Sequence, residues 1–255
     1  MTPMLTGKKG LIVGVANDRS IAYGCARRFR AVGADLAITY LSEKTEKYVR
    51  PLAAELKCEI CRRCDVSVPG QLESVFEEIA SKWGRLDFAL HSIGYARAED
   101  LKGRLIDCSA DGFAYAMQVS VHSFLRMARL SEPLMAGGGC LLAFSFYGAE
   151  KVMAHYGVMG PVKAALETAV KYMAAELGPK KIRVNAISPG PVATRSASGI
   201  SHFDELLERA VAHSPEHRLI TADDVGASAA FLVGDDASAI TGNISYVDAG
   251  YHVIA

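Results

Sequence analysis

Net charge is the first thing missing: the chain sets 28 Lys and Arg against 28 Asp and Glu in 255 residues. A balanced chain offers no basic field to nucleic acid or to an anionic membrane surface. Long apolar runs are missing too. Nothing approaches the ~18 consecutive apolar residues of a spanning helix, and the opening MTPMLTGKKGLIV has no long apolar stretch before a cleavage site. The expectation is a cytoplasmic protein with no nucleic-acid and no membrane partner. No internal repeat, low-complexity run or linker interrupts the chain, so its length suits one large domain around a sizeable core.

Metal-ligand spacing is also absent, although six cysteines are present. Three of them, Cys58, Cys61 and Cys64, cluster in CEICRRCDV. Read as a strand, this stretch puts Cys58 and Cys64 on one face and Cys61 on the other. The outer two would stand ~20 Å apart at ~3.3 Å per residue, too far to close one tetrahedral site. Reduced thiols and no metal are expected. The seven histidines are scattered without ligand spacing, and His122 and His155 read as structural or surface residues.

What the chain does have is alternation. Short apolar runs predict strands at 10–14, 35–40, 59–66, 86–93, 140–146, 182–188 and 244–249. Helical periodicity fills the intervals. Leu72, Val75, Phe76, Ile79 and Trp83 share one face of a helix over 71–83, and Val162, Leu166, Ala169, Met173 and Leu177 share one over 162–177. Thr221 with Asp224 resembles a capping box opening a helix through Leu232. Continuously apolar strands alternating with helices imply a parallel sheet covered on both faces. The reading is α/β: a single doubly wound Rossmann-type domain over 1–255, with a parallel seven-stranded sheet and ligand at the carboxyl ends of its strands.

Three stretches carry chemistry. GVANDRSIAYG (14–24) follows a strand and opens a helix, the context a dinucleotide site needs. Gly14 permits a tight turn, Ser20 caps a helix beginning at Ile21, and Ala22 and Gly24 are small enough for that helix to lie close to the sheet. Its N-terminus then faces a pyrophosphate. The second strand ends in ITYLSEK: Tyr40, Leu41 and Ser42, then Glu43 and Lys44. No Arg stands at this tip for a 2′-phosphate, and Arg19, opposed by Asp18, is the nearby alternative. NADH is therefore expected rather than NADPH. Third, HYGVMGPVK holds Tyr156 and Lys163 with six residues between them. Seven steps at about 100° nearly complete two turns, so the pair can share a helical face. Pro161 is tolerated only in a first turn, which starts the helix near Gly157 or Val158 and leaves Tyr156 at its edge. Carbonyl reductases of this kind place three residues between tyrosine and lysine; here that position is Met159, which has no proton to give.

GVANDRSIAYG, CDV, HSIG, FYGAEKVMAHYGVMGPVKAALE, VNAISPGPVATRSASGI and TGNISYVDAGYHV together resemble the type I enoyl-acyl-carrier-protein reductases of the short-chain dehydrogenase/reductase superfamily, over roughly Leu5 to Val253. The resemblance implies reduction of the trans-2 double bond of an enoyl thioester on acyl carrier protein, with NADH, in fatty acid synthesis, by a homotetramer. It makes Tyr156 the donor to the thioester oxygen and Lys163 the holder of the nicotinamide ribose. Asp65 and Val66 would meet the adenine. Ser92, Ile93 and Gly94 would approach ribose and nicotinamide. Ile187, Gly190, Val192 and Thr194 would frame the carboxamide, with Thr194 near the pyrophosphate, and 193–213 would form a substrate flap. One position departs from the pattern. The family usually has a second tyrosine ten residues before the catalytic one, where this chain has Phe146, followed by Tyr147, the candidate to replace it. A 3-oxoacyl or other carbonyl reductase, and a catalytically weak dinucleotide-binding regulator, are the competing readings.

Overall fold

The computed structural model describes residues 4–192 and 203–254. Seven parallel strands form one sheet: β1 (Lys9–Val13), β2 (Asp35–Tyr40), β3 (Ile60–Arg63), β4 (Phe88–His91), β5 (Gly139–Phe144), β6 (Ile182–Pro189) and β7 (Ile244–Val247). Their order is β3-β2-β1-β4-β5-β6-β7. Chain order reverses between β1 and β4, and open α/β sheets bind ligands at such a switch point.

Alternation along the strands separates two apolar layers. Leu11 and Val13 face one layer and Ile12 the other. The first is covered by α3 (Gln71–Trp83), α6 (Ser123–Ser131) and α7 (Met159–Leu177). The second is covered by α1 (Ile21–Ala31), α2 (Glu43–Glu55) and α9 (Ala222–Val233). Two short helices, α4 (Ala98–Lys102) and α5 (Ala110–Met117), lead to α6, and α8 (Phe203–His213) precedes α9. A π-helical turn, Gln118–His122, joins α5 to α6 and contains His122.

Most expected elements stand where the periodicity puts them, but three details differ. Strand β3 has only four residues, so Cys58 and Cys64 lie outside it. Cys58 and Cys61 consequently both pack on the α1–α2 layer and Cys64 on the opposite one. All six thiols are free, and burial pushes Cys58 and Cys64 up to about 12. Gly24 makes room for a helix, not for the sheet: a Cβ there would lie 2.6 Å from the Cβ of Ala222 in α9. Strand β5 stops at Phe144, which leaves Phe146 and Tyr147 in a turn instead of on alternating strand faces.

Candidate active site

The ends of β1 and β4 form the cofactor side of the site. Gly14 follows β1 with φ +105°, and a Cβ there would stand 2.5 Å from the Ser92 carbonyl oxygen. Only glycine lets the two strand ends close to this distance. Helix α1 begins just beyond. Ser20 Oγ accepts from the Tyr23 N–H at 3.3 Å and donates to the Asn17 carbonyl at 2.7 Å, so Ile21 is the first helical residue, as expected. A capped helix N-terminus at a switch point is a cradle for phosphate, and the residues present fit a dinucleotide.

Other expected contacts lie along the same edge. Leu41 follows β2 and is exposed. Asp65 Oδ1 is held by the N–H and hydroxyl of Ser67, and the Val66 carbonyl accepts from Arg126 at 2.7 Å. Arg126 also spans both Glu73 oxygens at 2.7 and 2.8 Å. It therefore ties the Asp65–Val66 loop to α3 and α6, a supporting role that sequence reading missed. Ser92, Ile93 and Gly94 leave β4 at its carboxyl end, and Gly190 and Val192 leave β6 at the same edge. Ile187 stands opposite Phe144, the last residue of β5. Its side chain is fully buried, and its carbonyl accepts the Ser145 N–H at 2.7 Å, so it braces the neighbouring strand end. Thr194 and the flap segment 193–202 lie outside the described residues.

Tyr156 stands just before α7 and Lys163 near its start. Tyr156 sits in a turn between two residues of positive φ, His155 (61°) and Gly157 (42°), and its carbonyl accepts from Met159 at 3.0 Å as α7 begins. The tyrosine is thus at the helix edge, as Pro161 requires. Its ring packs on Phe146 with centroids 4.8 Å apart. Burial raises its phenol above the ordinary value. The hydroxyl is therefore a neutral donor, not a phenolate base.

Lys163 is buried in α7, and its Nζ donates to the Phe144 carbonyl at 2.6 Å. A Cβ on Gly94 would lie 3.5 Å from that Nζ and 3.6 Å from Met159 Cε, so the lysine faces the β4 loop. Burial brings the ammonium down to about 8, against an opposing pull from Glu167. Glu167 lies one turn further along α7 and accepts from Ser145 Oγ. Its four-residue spacing from Lys163 is the signal that could have revealed it. Met159 is buried, with no group to donate a proton.

Phe146, not Tyr147, lies against Tyr156. The phenol of Tyr147 donates to the His252 carbonyl at 3.2 Å, and its ring meets Tyr246 and Tyr251 edge-on at 6.2 and 5.9 Å. The expected substitution of Tyr147 for the missing tyrosine is not what the turn provides, because its hydroxyl is committed to the C-terminal segment.

Comparison with known proteins gives the family. The family profile described as enoyl-(acyl carrier protein) reductase matches residues 14–252. The chain belongs to that family. An enoyl-[acyl-carrier-protein] reductase [NADH] of Rhizobium meliloti is 43% identical over 251 residues, covering 98% of this chain and 92% of the relative. The family's reductase from Anaplasma phagocytophilum, solved in complex with NAD, superposes with a TM-score of 0.96 at 47% identity, over 100% of this chain and 97% of that one. The Bacillus cereus member, solved with NADP+ and an indole naphthyridinone, gives 0.96 at 41% identity, over 99% of each chain.

Proposed function

We propose that the protein reduces the trans-2 double bond of an enoyl thioester carried on acyl carrier protein, using NADH, in fatty acid synthesis. One observation carries the reading: a neutral, half-buried tyrosine precedes the α7 lysine by seven positions, and the acid position of a carbonyl reductase is Met159. Bound NADH supplies the hydride. A ketone needs its proton on the oxygen beside the carbon receiving hydride. In an enoyl thioester the hydride goes to Cβ, and charge develops further away, on the thioester oxygen. A donor set back to the helix edge suits that oxygen. Tyr156 would donate to the enolate, while Lys163 would hold the nicotinamide ribose between the Phe144 carbonyl and the β4 loop. Gly14, Ser20 and Ile21 would seat the pyrophosphate, Leu41 the adenosine ribose, Asp65 and Val66 the adenine, and Ser92, Ile93, Gly94, Gly190 and Val192 the nicotinamide end.

Following nicotinamide absorbance with crotonyl and then acetoacetyl thioester tests this. Turnover of the first only supports an enoyl reductase; turnover of the second only supports a carbonyl reductase and sinks the proposal. Tyr156→Phe should lower turnover by about two to three orders of magnitude, typical of a lost oxyanion donor, with NADH affinity kept. A variant within threefold of the parent would remove Tyr156 from the chemistry.

The protein is further read as a cytoplasmic homotetramer. Among the described residues no helix is long and apolar enough to cross a membrane. Phe113, Leu125 and Tyr172 leave an apolar face on α5, α6 and α7 40, 39 and 70% exposed, and assembly would cover it. Sedimentation equilibrium at micromolar protein checks the stoichiometry.

A further inference from the structure

No basic residue ends the second strand in the sequence, yet the fold brings one there. Strand β3 runs beside β2 in parallel register, with Ala37 opposite Ile60 and Tyr40 opposite Arg63. Arg63 is thus level with the last residue of β2, next to the Cys64–Asp65–Val66 turn. Its Nη1 lies 3.4 Å from Oε1 of Glu43, the first residue of α2 and two positions past Leu41. The side chains are 49 and 85% exposed. The other arginines on this side are matched as well, Arg50 with Glu46 and Arg62 with Glu78.

Dinucleotide folds read the adenosine ribose at the end of the second strand: an acid suits the 2′,3′-diol and an arginine suits a 2′-phosphate. Here both residue types stand at that place, joined to each other. We infer that the Glu43–Arg63 pair sets the choice between the two nicotinamide cofactors. Glu43 occupies the guanidinium that a 2′-phosphate would use, and adds a negative charge where the phosphate would arrive. Discrimination against NADPH then comes from a neutralised arginine, not from a missing one. The pair is long and exposed, so its effect on the choice is the modest one of a surface charge. The solved relatives with NAD and with NADP+ show that the fold accommodates either cofactor.

This inference rests on the cofactor reading above, and its test needs no thioester and no turnover. Dissociation constants for NADH and NADPH are measured by nucleotide fluorescence on the parent, Glu43→Gln, Glu43→Gln/Arg63→Ala and Glu43→Gln/Arg19→Ala. In Glu43→Gln the ratio of NADPH to NADH constants should fall by about two- to fivefold, the scale of a surface charge. Removing Arg63 should restore the parent ratio, and removing Arg19 should not. A ratio within twofold of the parent in Glu43→Gln overturns the inference while leaving the cofactor reading intact. So does a gain that survives loss of Arg63 but not of Arg19. If neither nucleotide binds the unmodified protein, the cofactor reading fails and takes this inference with it.

Discussion

Tyr156 owes its position to neighbours that have no chemistry of their own. Phe146 packs on the ring, and the backbone at Gly148 comes close to both: a Cβ there would stand 2.5 Å from Tyr156 Cδ1 and 3.3 Å from Phe146 Cδ1. Gly148→Ala should therefore push the phenol off its place. Turnover is expected to drop on the order of 100-fold, as for a misplacement of about 1 Å, with NADH affinity preserved; isothermal calorimetry beside steady-state kinetics separates the two. Lys163 offers a second reading at this scale. Its ammonium titrates at about 8, so the charged form is lost as pH rises through that value, and the phenol of Tyr156, raised by burial, is not the group that titrates there. The specificity constant for NADH should fall above pH 8, since it reports groups of the free enzyme. A profile flat to pH 10 would show that the lysine's charge does not hold the cofactor.

At the scale of elements, the turn after β5 decides what the two aromatic residues at 146 and 147 can do. Tyr147 anchors the C-terminal segment through His252, so Tyr147→Phe should cost about 1 kcal/mol of stability, one net hydrogen bond, and leave turnover within threefold. Phe146→Tyr places a hydroxyl beside Tyr156. Turnover within threefold is expected here as well, because one donor with the Lys163 cation suffices for charge on one oxygen. A rise beyond tenfold would show that the chain is a weakened reductase. Kinetics and urea unfolding on both variants and their double mutant decide. Which elements could be read from the sequence follows from how local their causes are. The 35–40 strand and the helix over 71–83 appear as read, and Thr221 and Asp224 do form a capping box, because alternation, helical period and capping are properties of neighbours in the chain. The four-residue β3 and the π-helical turn at 118–122 were not legible: no pattern among neighbours in the chain marks them. Arg63 was missed for the same reason. Its place beside Tyr40 is a fact of strand register, and no local pattern carries it. Among the site residues, Tyr156, Lys163 and the strand-end loops were legible from motif and spacing, whereas Ser145 and Arg126 act through contacts between distant segments.

For the whole molecule, His91 links stability to acid. It is fully buried in β4, its Nε2 is 2.7 Å from Ser123 Oγ, and its Nδ1 has no partner among the described residues. That hydroxyl already donates to the Val119 carbonyl at 2.6 Å, so Nε2 carries the imidazole proton. Burial, with the nearby Lys163 charge, lowers the ring from 6.5 to about 3. Below pH 6.5 the unfolded chain binds a proton that the folded chain refuses. The stability held by the neutral ring is complete above that pH and drains away toward pH 3, by up to ~1.4 kcal/mol per unit. Urea midpoints at pH 7, 6 and 5 should fall more steeply for the parent than for His91→Asn, and parallel slopes would exclude the histidine as the cause.

The two apolar layers described above lie on opposite faces of the sheet, which makes the protein two half-independent machines sharing a wall. Val170 in α7 and Val225 in α9 are both fully buried on opposite sides of it. Truncating both to alanine should cost the sum of the single losses within ~0.5 kcal/mol, as for distant sites. Engineering for heat tolerance can then be confined to the α9 side, where repacking leaves the tyrosine and lysine undisturbed. The same changes on the α7 side would trade turnover for stability. Drift under selection should show the same asymmetry, with α9 free to wander while α1, which opens on the cofactor loop, and α7, which carries the lysine, are held by the reaction.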